Sequence, residues 1–537
     1  MVRPRVTAHP FKIYPFTDAN FYSALSNEFL SATVIRTKRR ANYLAKYLNR
    51  LQAQLIIVEP EYTDAGYLDD YAAYYVKCFK SYNRRCKRLH FFSKPISKEV
   101  FLRIIEGKAT ATQRKRFVES YLGFVVARPL PDAIIGRTVI KTYGPGRDRR
   151  HYTCVREYHA NLYGVDLPVK SLAFQEQDTV MAACATVALW CAFNKTRDLF
   201  NSPAPTPAEI TRAANRLVIN SRSIPSHGLN VQQITHAIQS VNLEPEVIPI
   251  TPETPLVSLV YAHLRWGLPV ILGVEMEGIG RHAITLVGYS LVKNRVRERE
   301  VEQHDGLEVC APMVGLRIDR LFAHDDRIGP FVRLNIEPNT TPDERHSMPV
   351  ILKPKWPTED ELSDLSVLAK SGINSSIKLP PVIYPKTVIV PVYHKIRVTF
   401  QDVEKFLVRL TEVLRLIHPP ERLMEWDIHL TSTNDYKEGM KAQVDVPQQT
   451  KLKILLTPQP KYFWRAILTI EGRKIVELLF DATDMSRSCP VFFAIWYNRK
   501  DKAILHNYLE SDKFRDSTLK VLGVPFWTFM KDWSLPK

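Results

Sequence analysis

The sequence has few cysteines, and they are not arranged as in a disulfide framework or a structural zinc site. Seven cysteines are scattered over 537 residues, and no two of them form a CxxC pair. A small, odd number of cysteines fits reduced thiols in a cytosol better than disulfides. Cys78, Cys86 and His90 lie close together in the sequence, but their spacing matches no usual zinc pattern and is better explained by a helix face. We therefore expect no metal and no cofactor.

Long apolar runs are also absent. The first residues, MVRPRVTAHPFKIYPF, carry positive charge but contain neither the unbroken apolar stretch nor the small-residue cleavage site of a secretory signal. No segment approaches the roughly 18 consecutive apolar residues that span a bilayer. We therefore expect a soluble, cytoplasmic protein without a membrane span.

Acidic residues are scarce in the first third of the chain. The net charge is +18, and residues 1–170 hold 30 Lys and Arg against 14 Asp and Glu. Such a block attracts an acidic protein or nucleic acid over long range, although a solvated basic surface would have the same composition. The candidate partner-binding residues in this block are Arg84, Arg85, Lys87 and Arg88.

The length is too great for one hydrophobic core, and changes in pattern predict the domain borders. We expect a basic α+β domain over residues 1–170 and a second domain over 171–338, in which helices precede strands. A Pro-, Thr- and Lys-rich passage predicts a linker over 339–379. A helix and a hairpin with Glu471-Gly472 at its turn predict a small α+β domain over 380–537.

The most informative stretch is QEQDTVMAACATVALWCAFN, residues 175–194. Asp178 and Thr179 are suitable N-cap residues, so Cys184 is expected within the first two turns of a helix. Cys191 lies two turns further along, where the helix dipole no longer favours a thiolate. A cysteine in an apolar helix is usually inert packing, but Cys184 is the better candidate for a nucleophile.

A base for this cysteine is expected from a distant part of the chain. In GIGRHAITLVGYS, His282 follows a glycine-containing turn and opens an apolar run that reads as a buried strand. In LRIDRLFAHDDRIGPF, Asp325 and Asp326 lie at the end of a later strand. Either acid could orient the imidazole, and we prefer Asp325. The alternative is that both acids cap the turn and pair with Arg327.

The order of these motifs resembles the papain-fold cysteine peptidases, particularly the bacterial branch that includes bacteriocin-processing peptidases. The residues that carry the resemblance lie within 171–334, about a third of the chain. It implies an α+β fold with a papain-like core, in which a helix bears the cysteine and an antiparallel sheet bears the histidine and the acid. It also implies that Cys184 is the nucleophile, His282 the general base and then acid, and Asp325 or Asp326 the orienting residue.

The resemblance further implies an oxyanion hole formed by a glutamine amide and the backbone N–H of the nucleophile. In the family this glutamine commonly precedes the cysteine by six residues, whereas here Gln177 precedes Cys184 by seven and Gln175 by nine. We prefer Gln177, because one additional residue in the turn would absorb the difference.

The main functional prediction is therefore a cysteine peptidase that hydrolyses a peptide or isopeptide bond of a protein or peptide substrate. One alternative is an acyltransferase or glutamine deamidase that uses the same residues. A second is a non-catalytic module that binds nucleic acid or protein through its basic first third. The multidomain organisation suggests a bacterial defence or stress-response setting, which no single residue supports.

Overall fold

The chain folds into two compact units, each built from separate stretches of sequence. Unit 1 comprises Met1–Thr251, Gly267–Tyr289 and Arg320–Pro391, and unit 2 comprises Pro252–Trp266, Ser290–Asp319 and Val392–Lys537. The computed structural model describes residues 10–146, 149–178, 180, 183–216, 228–292, 302–304, 307–309, 312–340, 342, 343, 346, 348–355, 381–417, 423–444, 446–485, 491–497, 503 and 507.

The N-terminal part of unit 1 is a five-stranded antiparallel sheet with six helices. The strands pair in sequence order: β1 (Lys12–Pro15), β2 (Leu55–Tyr62), β3 (Cys86–Phe92), β4 (Tyr121–Ala127) and β5 (Ile135–Ile140). The helices are α1 (Asp18–Leu25), α2 (Ala32–Ile35), α3 (Arg39–Arg50), α4 (Ala65–Ala73), α5 (Lys98–Ile105) and α6 (Ala111–Glu119). Strand β4, YLGFVVA, is buried along its whole length, as expected for an apolar strand with a neighbour on each side.

The middle of unit 1 contains the cysteine-bearing helix. Three short strands precede it: β6 (Arg150–His151) and the antiparallel pair β7 (Arg156–Leu162) and β8 (Val165–Ser171). Helices α7 (Cys184–Phe200), α8 (Pro207–Asn215) and α9 (Val231–Gln239) follow, and then β9 (Leu243–Pro249). Thr206 and Asn230 cap α8 and α9 through capping boxes, and Pro207 is the first residue of α8. The helix starts predicted at these residues are confirmed.

A second antiparallel sheet of unit 1 carries the histidine and the acids. Its strands are β10 (Val270–Met276), β11 (Gly280–Leu291), β14 (Ile318–Asp325), β15 (Gly329–Pro338), β16 (Val350–Pro354) and β17 (Ile383–Tyr393). They pair in that order, and β17 also pairs with β10, which closes a ring of six strands. Strand β9 joins this ring beside β17, and β6 joins it beside β11.

The borders of the units differ from the predicted domain borders. Strand β16 lies in the predicted linker over 339–379, and β17 lies at the start of the predicted domain over 380–537, yet both belong to the ring of unit 1. Residues 356–380, most of that linker, lie outside the described part. Prolines and lysines in VILKP and IYPKTVIVPVY concealed these two strands, because such residues more often mark loops.

Unit 2 contains α10 (Leu256–Leu264), the short strands β12 (Glu302–His304) and β13 (Leu307–Val309), and a four-stranded antiparallel sheet. This sheet comprises β18 (Met424–Ser432), β19 (Tyr462–Ile470), β20 (Arg473–Asp481) and β21 (Val491–Trp496). Helices α11 (Phe400–Ile417), α12 (Thr433–Ala442) and α13 (Gln448–Leu456) complete it. The predicted hairpin is confirmed: Glu471 and Gly472, both at positive φ, connect β19 to β20.

Candidate active site

Helix α7 begins at Cys184 itself. Ala183 is its N-cap residue, so Cys184 occupies the first helical position, where unpaired backbone N–H groups favour negative charge. The predicted start at Asp178 and Thr179 is wrong for Asp178, whose Oδ1 instead accepts a hydrogen bond from the backbone N–H of Val180 at 2.8 Å. Thr179 lies outside the described residues. Because the helix starts later than predicted, the Cys184 thiol lies closer to the N-terminal end of α7 than we expected.

The second cysteine of this helix is a packing residue. Cys191 is fully buried, and burial raises its pKa above the ordinary thiol range. Cys184 is only partly buried and remains accessible. The preference for Cys184 over Cys191 as a nucleophile therefore agrees with their surroundings.

His282 lies near the start of β11, opposite Val274 on β10, and is buried. Its Nε2 atom is 3.1 Å from Oδ1 of Asp325 and 3.4 Å from Oδ1 of Asp326. The Cys184 thiol makes a side-chain hydrogen bond to the same imidazole. Because Nε2 faces the carboxylates, Nδ1 is the nitrogen left for the thiol. The structure thus brings together a thiol, an imidazole and a carboxylate from three distant segments.

The two acids lie at the turn that joins β14 to β15, where Asp325 is paired with Gly329. The backbone N–H of Arg327 also donates to Oδ1 of Asp325 at 2.9 Å. Of the two carboxylates, Asp325 is the one hydrogen-bonded to His282, which favours it as the orienting residue. The predicted alternative was that the acids only cap this turn. Asp325 does accept a hydrogen bond within the turn, but it is also hydrogen-bonded to His282.

Burial and charge set the protonation of these three groups. Burial alone would lower the pKa of His282, but the charge and hydrogen bond of Asp325, with Cys184 and Asp326, raise it well above its usual range. Burial opposes ionisation of Asp325, yet the positive charge of His282 and its hydrogen bond hold the pKa of Asp325 below its usual value. Burial and the neighbouring Asp325 raise the pKa of Asp326 to about 6, against the opposing charges of His282 and Arg40. The site therefore favours an imidazolium paired with one carboxylate.

Helix α3 supplies two site residues that the sequence did not reveal. Arg39 and Arg40, its first two residues, interact electrostatically with Asp325 and Asp326 respectively. On the same helix, Tyr43 donates a hydrogen bond to the carbonyl of Pro330 at 2.9 Å, just beyond the acidic turn. The basic start of α3 is thus matched to the acids, although about 280 residues separate them in sequence. Only the run KRR at the start of an amphipathic helix could have drawn attention to these arginines.

The two candidate oxyanion glutamines lie in different surroundings. Gln177 is partly buried and lines the same cavity as Cys184. Gln175 is buried, and its backbone contacts the thiol of Cys191, which lies on α7 two turns after Cys184. No hydrogen-bond partner for Nε2 of Gln175 is present among the described residues. The placement favours Gln177 over Gln175.

A cavity of about 550 Å³ is lined by both Cys184 and His282. One part of its lining is aromatic and apolar and comes from the N-terminal part of unit 1: Tyr74, Tyr75, Tyr82, Leu130 and Pro131. Charged residues, including Arg281 and Arg327, form another part. The volume lies within the range of ligand pockets, and the lining combines aromatic, apolar and charged side chains.

The four basic residues predicted to bind a partner do not form one surface. Arg84 and Arg85 are exposed, but Arg88 is buried, forms an ion pair with Glu59 and donates to the carbonyl of Asn161 at 2.5 Å. Lys87 donates to the carbonyl of Ser26 at 2.5 Å. The buried position of Arg88 contradicts its predicted role, whereas the role of the half-buried Lys87 stays a prediction. Residues 86–92 form a largely buried strand rather than an exposed basic run.

Two groups of side chains can be compared with metal sites. His282, Asp325 and Asp326 offer ligand atoms within 4.8 Å of one another. Within this group, Nε2 of His282 is hydrogen-bonded to Oδ1 of Asp325 at 3.1 Å. Cys86 and His90 lie on a strand, β3, and not on the helix face that we expected. Both ring nitrogens of His90 are hydrogen-bonded, to Tyr121 and Glu59 at 2.9 Å each.

Comparison with known proteins does not assign a family: no family model and no curated protein matches the sequence of this chain. Within the part of the chain that the structure describes, every helix is too short or too polar to cross a lipid bilayer.

Proposed function

We propose that this chain is a cysteine peptidase that cleaves a peptide or isopeptide bond of a protein or peptide substrate. The observation that carries the proposal is the hydrogen-bonded row of the Cys184 thiol, the His282 imidazole and the Asp325 carboxylate. The row begins at a helix N-terminus and borders a cavity of about 550 Å³. A helix-borne nucleophile facing an antiparallel sheet with the base and acid also fits the resemblance to papain-fold peptidases.

In the first step the Cys184 thiolate attacks the scissile carbonyl carbon. A C–S bond forms, and the electron pair of the carbonyl moves to its oxygen. When this tetrahedral species collapses, the C–N bond breaks and the His282 imidazolium gives its proton to the leaving amine. A water molecule then attacks the acyl group while His282 takes its proton, and cleavage of the C–S bond regenerates the thiolate.

The other residues support these steps through charge and orientation. Asp325 accepts the Nε2–H of His282, which fixes the ring and keeps it protonated before attack. Gln177 and the backbone N–H of Cys184 are the proposed donors to the oxyanion.

The five cysteines that the structure describes are free thiols, which supports a reducing, cytosolic setting.

The proposal is tested by labelling the full-length protein with iodoacetamide at neutral pH and locating the label by mass spectrometry. We expect preferential labelling of Cys184, loss of that label in Cys184→Ala, and a reduction of at least tenfold in His282→Ala. Cys191→Ala and Cys78→Ala are the controls. Cys191 is buried, and Cys78 lines the same cavity as Cys184 but directs its thiol to the carbonyl of Tyr74 at 3.7 Å.

Labelling of Cys184 that is no faster than that of Cys78, or unaffected by His282→Ala, would overturn the peptidase proposal. If labelling behaves as expected, a peptide library analysed by mass spectrometry then separates the related chemistries. New peptide termini indicate hydrolysis, a mass change of about one dalton at glutamine indicates deamidation, and ligated products indicate acyl transfer.

A further inference from the structure

Gln177 lies between two buried acids on a segment that is fixed from several directions. Glu176 and Asp178 are buried, whereas Gln177 reaches the cavity shared with Cys184. A glutamine on an exposed loop would sample many rotamers and lose entropy when it bound an oxyanion. Buried neighbours on both sides restrict the backbone of Gln177, and these neighbours are themselves held by hydrogen bonds and ion pairs.

Glu176 connects this segment to two elements of the N-terminal part of unit 1. One of its carboxylate oxygens forms an ion pair with Arg40 at the start of α3. The other accepts the backbone N–H of Ile135, the first residue of β5, at 3.0 Å. The backbone N–H of Glu176 in turn donates to the carbonyl of Ile135 at 3.0 Å. Glu176 is therefore fixed by both its side chain and its backbone.

Arg128 holds the same segment through a hydrogen bond to its backbone. It is 2% exposed, and its Nη2 donates to the carbonyl of Glu176 at 3.0 Å. Its Nε donates to the carbonyl of Ala133 at 2.8 Å, within the loop that contributes Leu130 and Pro131 to the cavity. Asp178 and Glu176 supply the negative charge that compensates this buried guanidinium.

We propose that Glu176 and Arg128 are positioning residues that hold the Gln177 amide at the oxyanion site of Cys184. This role rests on the proposed function, because it has meaning only if Cys184 attacks a carbonyl. Arg40 couples the same network to the acids of the site, since it pairs with Glu176 and its charge acts on Asp326. The N-terminal part of unit 1 thereby sets the geometry of the catalytic step.

Two small reagents separate positioning of the oxyanion donor from reactivity of the thiol. In alkylation by iodoacetamide, sulfur displaces iodide from a CH2 carbon and no oxyanion forms. In acylation by p-nitrophenyl acetate, sulfur adds to the carbonyl, an oxyanion forms, and p-nitrophenolate then leaves. The rate at Cys184 is taken as the difference between each variant and the same variant carrying Cys184→Ala. Loss of an oxyanion donor should slow only acylation.

We expect Gln177→Ala to slow acylation about 100-fold and Glu176→Ala to slow it at least tenfold, with alkylation unchanged within twofold. The double variant should be no slower than Gln177→Ala alone, because Glu176 acts through Gln177. Glu176→Gln keeps the side-chain shape but loses the ion pair with Arg40, and it should give a smaller decrease. This milder variant provides the test should Glu176→Ala fold poorly.

Glu59→Ala is the matched control, since Glu59 forms a similar ion pair with Arg88 in the same unit and does not line the cavity. Equal slowing of acylation in Glu59→Ala and Glu176→Ala, or full additivity of Glu176→Ala with Gln177→Ala, overturns the positioning role alone. Absence of Cys184-dependent acylation and alkylation in the wild type overturns the peptidase proposal itself, and the two failures are therefore distinguishable.

Discussion

The ring of Tyr43 lies against Gly329 so closely that a Cβ at Gly329 would come within 2.2 Å of its Cδ1 atom. Tyr43 belongs to α3, and Gly329 opens β15 directly after the turn that bears Asp325 and Asp326. The hydroxyl of Tyr43 donates to the carbonyl of Pro330 in the same place. Helix α3 and the acidic turn are thus packed as one piece.

This contact predicts the effect of Gly329→Ala. The added methyl group must displace a buried ring, so we expect a loss of about 1–3 kcal/mol in the free energy of unfolding. We also expect slower alkylation of Cys184, because movement of the turn displaces Asp325 from His282. Urea unfolding and the iodoacetamide rate measure the two effects.

Gly107→Ala is the control for this prediction. Gly107 also has positive φ, but a Cβ there meets no atom within 4 Å. The free energy of unfolding of Gly107→Ala should fall by only about 1 kcal/mol, because the substitution adds backbone strain alone. The alkylation rate of Cys184 should not change. Equal effects of the two substitutions on the alkylation rate would contradict the proposed packing of α3 against the turn.

Replacement of Asp325 should change the titration of His282. Because Asp325 is the main group that raises the pKa of His282 against burial, Asp325→Asn should lower that pKa. The His282 imidazolium would then give up its proton at a lower pH, so less of it would be present at pH 7 beside Cys184. If His282 activates Cys184 as proposed, alkylation at pH 7 should fall at least tenfold. NMR titration of labelled histidine and the pH profile of alkylation give the measurements.

Asp326→Asn should have the smaller effect on His282. Its Oδ1 lies 3.4 Å from Nε2, compared with 3.1 Å for Asp325, and its charge contributes less to the raised pKa. A larger decrease in the pKa of His282 from Asp326→Asn than from Asp325→Asn would assign the orienting role to Asp326.

The pKa of Asp326 predicts a pH dependence of stability. Since folding raises this pKa from 3.8 to about 6, the folded chain binds the proton more tightly than the unfolded chain. The contribution of Asp326 to stability is therefore complete below about pH 4 and is lost as the pH rises through 6. Asp326→Asn should raise the free energy of unfolding at pH 8 by about 1–3 kcal/mol and leave it nearly unchanged at pH 4.

Urea unfolding at both pH values tests this assignment. A destabilised Asp326→Asn at pH 8 would mean that the ionised carboxylate is held by its attraction to Arg40 and His282 more strongly than burial opposes it.

The basic residues of the first third should separate into two classes. Arg84 and Arg85 are exposed, so charge reversal to Glu at both should change the free energy of unfolding by less than about 0.5 kcal/mol. Arg88→Ala leaves the Glu59 carboxylate without its ion pair in a largely buried place, and we expect a loss of about 3–5 kcal/mol. Thermal and urea unfolding of the full chain would show whether the two classes differ as stated.

The sequence was informative where function depends on local order. A polar turn before a small-residue helix indicated Cys184, and a histidine after a glycine-containing turn indicated His282; the structure brings these residues together with Asp325. Their roles in catalysis stay predictions. Helix caps and the Glu471-Gly472 turn were likewise predictable, because each depends on residues within a few positions of one another.

Contacts between residues that lie far apart in the sequence could not be predicted from local sequence patterns. Nothing near Arg39 and Arg40 indicates that they face an acidic turn about 280 residues later, since a basic helix start also suits a solvated surface. The strand character of β16 and β17 was hidden for a related reason. Their sequences resemble a linker, and they become strands through pairing with β15 and β10.

Closure of the six-stranded ring has a practical consequence for anyone who would isolate the catalytic part. A fragment spanning 171–338 would retain Cys184, His282 and Asp325 but omit β16 and β17, leaving β10 and β15 as open edges that invite aggregation. It would also omit α3, so that Asp325 and Asp326 would lose the neighbouring charges of Arg39 and Arg40. A fragment that keeps these elements must therefore run at least from α3 to β17, far beyond the segment that bears Cys184, His282 and Asp325.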